Sequence, residues 1–459
     1  MHKSKNYNPH NDKIDYQEDF RGQFHFSPKS GWMNDINGLV YHGGKFHMIY
    51  QWGKAIRHGG YATSRDLIHW NDEGIALIPK NTFLTKDAIP NSTGDEIFSG
   101  SAVVVSKEIA ANITGSMKEA IVAIYTGKAV GTCLVWSNDN GNSWHNYKNN
   151  PVANPTDGEY PRDPCVFWYE DSSKWVMVIY ENGTSFYGSK DLINWEFLSN
   201  INFGYECPDV FQLPLDGDIN QMKWILQDAI GAYLIGEFDG TSFIVDSGQK
   251  IHKMDSGPDF YAAQTFPRGN LPKEDNRIIQ IAWMDNWNGG VGETIWERNA
   301  TFPVSLGLVS VNGQKRITRN PINEISSIYE NSFSWNQQVI SPHQNILKDI
   351  KSKKFDLTAE FDLSGLKSGK FGFKIANKTI EYNIDHQTLL SQKILSKDFR
   401  YLQIRILVDW GQLEVYANNG LFSYSEQFGF TPDQNNLEIF TNCELKLKSI
   451  EFYEVARIW

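Results

Sequence analysis

The stretch "SRDLIHW", Ser64–Trp70, sets an aspartate in a turn and a tryptophan four residues later, directly after a run of apolar, β-forming residues. It has counterparts further on: "SNDNGNSWHNY" from Ser137, "SKDLINWEF" from Ser189 and "EFDGTSF" from Glu237. Asp, Asn and Gly favour such turns because they tolerate φ > 0 and bond their own backbone. Each turn follows a strand-like segment: "FHMIYQW", "AIVAIYTG", "WVMVIYENG" or "WILQDAIGAYLIGEF". A further run, "RIIQIAWMDNW" (Arg277–Trp287), has the same character without the turn. The turns recur every ~45 to 75 residues, the scale of a four-stranded propeller blade with its loops. Counting the runs gives five blades. An array of β-sandwiches would satisfy the same local signals.

Near residue 330 the pattern changes. "NSFSWNQQVISPHQNILKDIKSKK" is polar and irregular. After it, period-2 alternation returns in "FDLTAEFDLSG", "GKFGFKIANKTIEYNI", "YLQIRILVDWGQLEVYANNG" and "LKLKSIEFYEV". Alternation with frequent turn signals reads as a β-sandwich, and Asn-Asn-Gly at 418–420 reads as a hairpin. The expected architecture is therefore all-β: a five-bladed β-propeller over residues 1–330 followed by a C-terminal β-sandwich over 331–459. No catalytic constellation stands out in the second unit.

Composition agrees with this class. Of 459 residues 41% are hydrophobic and 14% aromatic, with 15 Trp, 20 Tyr and 27 Phe. Aromatic wealth suits β-rich cores and equally suits sugar binding, since sugar CH faces pack on rings. Forty-three basic against 54 acidic residues give a net charge of −11, which argues against nucleic acid or an anionic membrane as partner. No apolar run is long enough to span a bilayer. The start, "MHKSKNYNPHNDKIDYQEDF", lacks the apolar stretch of a signal peptide, so the chain as written reads as cytoplasmic; a trimmed signal would leave the same start. Cys133, Cys165, Cys207 and Cys443 form no C-x-x-C pair and read as free thiols, without a metal centre.

A propeller gathers the first strands of its blades around one channel, so acids distant in sequence converge there. Three acids precede aromatic-rich strands: Asp35 in "WMNDINGLVY", Asp163 in "YPRDPCVFW" and Glu206 in "YECPDVFQL". Asn34, Asp35, Asn37 and Gly38 read locally as a turn, one that aims the Asp35 carboxylate into the channel. Singly, each acid has a plain structural explanation, such as an Arg–Asp pair beside a turn proline. Together and in phase with the repeat, they suggest glycoside hydrolysis, which needs one carboxylate as nucleophile or base and another as acid.

These motifs resemble, in order, those of the invertase, levanase and inulinase family of glycoside hydrolases, family 32. "IFSGSAVV" (Ile97–Val104), "GPDFYAAQTF" (Gly257–Phe266) and "IAWMDNW" (Ile281–Trp287) extend the match, and "IRILVDWGQLEVYANNG" adds a looser one near the C-terminus. The resemblance implies release of terminal β-fructofuranosyl units from levan- or inulin-type fructans or fructo-oligosaccharides with retained configuration. An intracellular invertase acting on sucrose, or a fructosyltransferase using the same covalent intermediate, are the alternatives. It implies Asp35 as nucleophile, Glu206 as general acid/base, and Asp163, with Arg162 beside it, gripping fructosyl hydroxyls. It also implies Asn34, Gln51, Trp52, Phe98, Ser99, Tyr261 and Trp287 as substrate-binding residues. The implied partner is a fructose-containing oligo- or polysaccharide; no cofactor or metal is implied, and the oligomeric state stays open. Three positions depart from the family pattern. Ile36 replaces a proline after the nucleophile. Gly59 stands where members carry a tryptophan, which should open that side of the pocket unless Trp52 fills it. "GETIWERNATFP" (Gly292–Pro303) replaces a Pro-Thr-x-x-Trp-Arg pattern, leaving linkage and leaving-group preference open.

Overall fold

The structure, a computed structural model, describes residues 16–79, 96–153, 161–266, 271–272, 274–287, 289, 294–429 and 435–459. The polar first fifteen residues lie outside these, as do Tyr160 of "YPRDPCVFW" and Gly292 and Glu293 of "GETIWERNATFP". Among the described residues there is one α-helix, Lys107–Thr114, against many strands. No helix is long and apolar enough to cross a membrane.

Five antiparallel units follow one another. Their innermost strands are Gly31–His42, Ile97–Val105, Arg162–Tyr169, Asp209–Leu215 and Tyr261–Thr265. Each pairs outward with the next strand in sequence, as in a propeller blade. The repeated Asp turns join the third and fourth strands of the first four blades. In the first, Asp66 Oδ1 accepts the Ile68 and His69 N–H groups at 3.0 and 2.8 Å, and the Trp70 indole donates to Leu67 O at 3.0 Å. In the third, Asp191 Oδ1 does the same for Ile193 and Asn194 at 2.9 and 2.8 Å, and Trp195 donates to Leu192 O at 3.0 Å. Leu67 and Leu192 both have φ 66°. The carboxylate satisfies donors that the left-handed leucine would leave bare. Blade five closes differently: Val304–Val311 returns as Gln314–Pro321 through Asn312-Gly313, both at positive φ, as a two-residue hairpin demands. That turn lies beyond Arg277–Trp287, so this run carries no Asp turn of its own.

Blades pack face to face over apolar clusters. Val40, Ile49 and Tyr61 of blade one meet Ala102, Ile121 and Ala123 of blade two; Val103 and Val122 of blade two meet Val166 and Met177 of blade three. Strands buried on both faces need no polar alternation, which explains near-continuous apolar segments such as "AIVAIYTG". The ring closes where Trp296–Glu297 pairs in parallel with Gly31–Trp32, and the Gly31 N–H donates to Ile295 O at 2.8 Å.

After a 3₁₀ segment, Asn323–Ile328, two sheets form the second unit around one large apolar cluster. The polar stretch expected to be irregular is in part a twelve-residue strand, Tyr329–Ile340, at the margin of the six-stranded sheet. Its single neighbour, Leu445–Val455, covers one side only, so it needs few apolar residues. Asn418, Asn419 and Gly420 do turn the chain, all at positive φ.

Buried ionic groups join the two units. Asp409 accepts the N–H groups of Gln23, Phe24 and His25 at 2.7, 2.8 and 2.9 Å. The His25 ring lies 3.0 Å from Asp409 and 3.4 Å from Glu414. Burial alone would depress the imidazole, but hydrogen bonds and charge from Asp409 and Glu414 raise its pKa to about 9. A histidine with a raised folded-state pKa contributes stability that is complete below pH 6.5 and fades as pH rises through about 9.

Two outcomes follow for denaturant unfolding. His25→Gln lowers stability by up to about 3 kcal/mol at pH 6 and by much less at pH 9.5; an equal loss at both pH values refutes the charged pair. Asp191→Ala, which strips two backbone N–H groups of their acceptor, costs about 1 to 2 kcal/mol at any pH above 5.

Candidate active site

All three acids stand at the starts of inner strands, held there by irregular backbone. The strand carrying Asp35 slips register against its neighbour between Met33 and Ile36, and that carrying Phe98 and Ser99 slips between Ile97 and Gly100. A bulge re-aims side chains that regular pleating would send to alternate faces. Asn34 and Asp35 are therefore bulged strand residues and not a turn. A Cβ on Gly100 would sit 1.9 Å from Ile124 O, so only glycine permits the second bulge. Asp163, Glu206 and Cys207 adopt φ of 63°, 54° and 39°. Such conformations cost roughly 1 to 3 kcal/mol each and persist where the surroundings fix them. Here Ala229 N–H donates to Glu206 O at 3.1 Å, and Ala262 N–H to Ala229 O at 2.8 Å, tying the start of blade four to that of blade five.

The acids meet on a cavity of about 400 Å³. Asp35, 8% exposed, accepts Ser99 Oγ–H at 2.7 Å and Gln51 Nε2–H at 3.1 Å on one oxygen, and Asn34 Nδ2–H at 3.2 Å on the other. Asp163, 3% exposed, accepts the Cys207 N–H at 3.2 Å. Glu206 accepts Arg162 Nη2–H at 2.9 Å and the Tyr261 hydroxyl at 2.5 Å. Arg162, expected beside Asp163, stands 3.9 Å from that carboxylate and donates from Nε and Nη2 to Glu206 at 3.1 and 2.9 Å. It is also laid over the Tyr180 ring at 4.5 Å.

Burial dominates the electrostatics. Asp163 is pushed up to about 7 by desolvation, then by the charges of Asp35 and Glu206. Asp35 is raised by desolvation and by Glu206, against hydrogen bonds from Ser99 and Cys207 that favour its ionised form. Burial, helped by Asp163, Asp35 and Glu206, holds the Cys207 thiol well above its ordinary range, so it stands as a protonated donor 3.5 Å from Asp35. The ligand atoms of Asp35, Asp163 and Cys207 all lie within 4.8 Å of one another.

Of the other expected pocket residues, Asn34, Gln51, Phe98, Arg162, Tyr261 and Trp287 line the cavity, and Ser99 reaches it through Asp35. Trp52 does not line it. It follows Gln51 on the same strand, faces the other way, packs against Gly31 and donates its indole N–H to Ser30 O at 2.8 Å. Gly59 does not open the pocket either. A Cβ there would lie 2.8 Å from Leu77, in the blade's interior, and Arg57 covers this side of the cavity, laid over Trp32 and Phe98 at 5.6 and 5.3 Å. Ile36 is fully buried in the core and pairs with Tyr50. Within the altered 292–303 segment, Arg298 lines the cavity and forms an ion pair with Asp285. Trp32, Trp283, Arg57 and Cys207 escaped the sequence reading. Trp32 and Trp283 stood inside quoted motifs, but nothing distinguished them from core tryptophans. Trp283 meets Trp32 at 5.9 Å and Trp287 at 5.8 Å, both edge-on, giving the cavity an aromatic wall.

Three carboxylates, two of them buried, meet an aromatic wall in one cavity, an arrangement suited to cleaving sugars. Comparison with known proteins supports this. The pattern "Glycosyl hydrolases family 32 N-terminal domain" matches residues 25–321, and "Glycosyl hydrolases family 32 C terminal" matches 324–454. The chain belongs to glycosyl hydrolase family 32 and is a glycoside hydrolase. It is similar to a levanase of Bacillus subtilis, 32% identical over 97% of this chain and 72% of that protein. A fructan beta-fructosidase of Streptococcus mutans is 29% identical over 98% of this chain, which spans 34% of that longer protein. An extracellular exo-inulinase of Aspergillus niger is 33% identical over 69% of this chain and 67% of its own length. The fold matches the crystal structure of an exo-inulinase from Aspergillus awamori with a TM-score of 0.82, at 24% identity over 97% of this chain and 100% of the other.

Asp163 has a pKa above that of an unfolded aspartate, so the native state holds the extra proton between pH 3.8 and about 7, and stability falls as pH rises across that window. Asp163→Asn should therefore be more stable than the wild type at pH 8, with the gap shrinking towards pH 5. A variant no more stable at pH 8 contradicts the assignment.

Proposed function

We infer that the protein is an exo-acting, retaining β-fructofuranosidase that removes terminal fructosyl units from fructans, within a catalytic unit 1–330 and a β-sandwich 331–459. The observation that carries this reading is the meeting of Asp35, Asp163 and Glu206, from three blades, in one cavity where the two aspartates are buried, Glu206 is half-buried and the rim, at Trp287, is 61% exposed. In this reading one terminal ring lies against the two buried aspartates. The rest of the chain leaves by the open rim.

In this reading Asp35 attacks the anomeric carbon while Glu206 donates its proton to the glycosidic oxygen. The carbon–oxygen bond breaks, the shortened chain departs as an alcohol, and a fructosyl ester remains on Asp35. Glu206, now ionised, takes a proton from water, whose oxygen attacks the same carbon; the bond to Asp35 breaks, its carboxylate leaves, and fructose is released with its configuration retained. Arg162 and Tyr261 fix the Glu206 carboxyl from both sides. Ser99, Gln51 and Asn34 point donors at Asp35, opposing the burial that would protonate it. Asp163 receives the hydroxyls of the fructosyl ring and steadies the positive charge developing on it. The levanase, fructosidase and inulinase relatives support a fructan as substrate.

Parallel incubation with sucrose, inulin and levan, read by chromatography, should give free fructose from at least one polymer faster than from sucrose. Disaccharides or cyclic products would overturn the exo assignment. Glu206→Gln should lower kcat at least about a hundredfold, and unchanged activity would remove Glu206 from the mechanism.

A further inference from the structure

The wall of the cavity that carries Tyr261 and Trp287 is not held by the propeller alone. Asp259 is fully buried and belongs to the loop that leads into blade five. One of its carboxylate oxygens accepts the Trp287 N–H at 3.0 Å, and the other accepts the Gln427 N–H at 2.7 Å. Its own N–H donates to Ser425 O at 3.1 Å. Gln427 returns the contact, its Nε2–H donating to Met284 O at 3.1 Å. Ser425 and Gln427 belong to Phe422–Gln427, the strand at the margin of the sandwich's six-stranded sheet. The two segments it grips lead to Tyr261, which opens the inner strand of blade five and donates to Glu206, and to Trp287, the exposed ring at the rim. A buried carboxylate with two backbone donors fixes both in register, because losing it would strand two N–H groups.

We propose that Asp259 is a positioning residue through which the β-sandwich sets the Trp287 rim, and so the enzyme's hold on the part of a fructan chain beyond the bond being cleaved. This rests on the reading of the cavity as a fructosyl pocket. The sandwich thereby acts on chain binding without contributing a side chain to the reaction. Sucrose, which extends one ring past the cleaved bond, feels the rim less than a polymer does.

The test is a double-mutant cycle of Asp259→Asn and Trp287→Ala, with kcat and KM measured on sucrose and on whichever of inulin and levan the wild type cleaves. Asp259→Asn should raise KM for the polymer about five- to tenfold, leave kcat within about threefold, and change KM for sucrose by less than about twofold. In the Trp287→Ala background the same substitution should add nothing. An equal rise with and without Trp287, or an equal rise for sucrose and polymer, overturns the proposal. Gln427→Ala, which removes only the bond to Met284 O, gives a second route should Asp259→Asn fold poorly, with a smaller polymer-specific rise expected. Amide hydrogen exchange of the segment holding Met284–Trp287 reads the coupling without substrate. Exchange at least about tenfold faster in either variant supports it, and unchanged exchange in both refutes it. A wild type inactive on all three sugars would fail the fructosyl reading alone, since the exchange measurement still decides the coupling.

Discussion

Like charges resist burial together, yet this fold gathers Asp35, Asp163 and Glu206 at one end of its channel. The opposition is met by hydrogen bonds and one cation, not by distance. Arg162 takes Glu206, Ser99 and Gln51 take Asp35, and the Cys207 N–H takes Asp163. Ser99, the Cys207 N–H and the acids themselves sit at local breaches of regular geometry: two bulges in the inner strands of blades one and two, and left-handed residues at the starts of blades three and four. The surrounding blades hold those breaches in place through apolar contacts extending the full height of the strands. The acid cluster is thus a load that the packed ring carries, as strain concentrated at one place needs a surrounding structure to hold it.

The ring and the sandwich depend on each other through charges that water does not reach. Asp409 binds three consecutive backbone N–H groups ahead of blade one. Asp255 pairs with Arg319 and also accepts from Ser423 and Ser425. Breaking such a group by removing one partner is costly, because the other stays buried and unpaired. The second unit therefore has little freedom to move relative to the first, and Asp255, Asp259 and Asp409 act along one seam.

Much of this was legible in the residues. The Asp turns announced four blades because a carboxylate accepting from nearby backbone N–H groups, two in succession at Asp66, Asp191 and Asp239, needs a short fixed spacing, and that spacing survives in sequence. The three acids were visible because each sits beside proline, asparagine or arginine at the entry to an aromatic strand. What escaped was whatever depends on side-chain direction. Trp52 neighbours Gln51 in sequence but faces the opposite side of the strand, and whether a bulge intervenes decides which of the two reaches the cavity. The Asn-Asp stretch looked like a turn because its composition is that of one, and only pairing with the next strand shows it to be a bulge. Tyr329–Ile340 was passed over because a marginal strand buries too little to show alternation. Cys207 gave no signal beyond its position after Glu206.

The parallel pairing of Trp296–Glu297 with Gly31–Trp32 also orders events during synthesis. Asp35 leaves the ribosome early, whereas Tyr261, Trp283 and Arg298, which complete its cavity, emerge more than two hundred residues later. Blades one to three can fold as they appear, since their strand pairings are local. The seam cannot form until the fifth blade exists. The cavity is therefore complete only once the fifth blade has joined the first, although acids of the earlier blades can meet before its far wall exists.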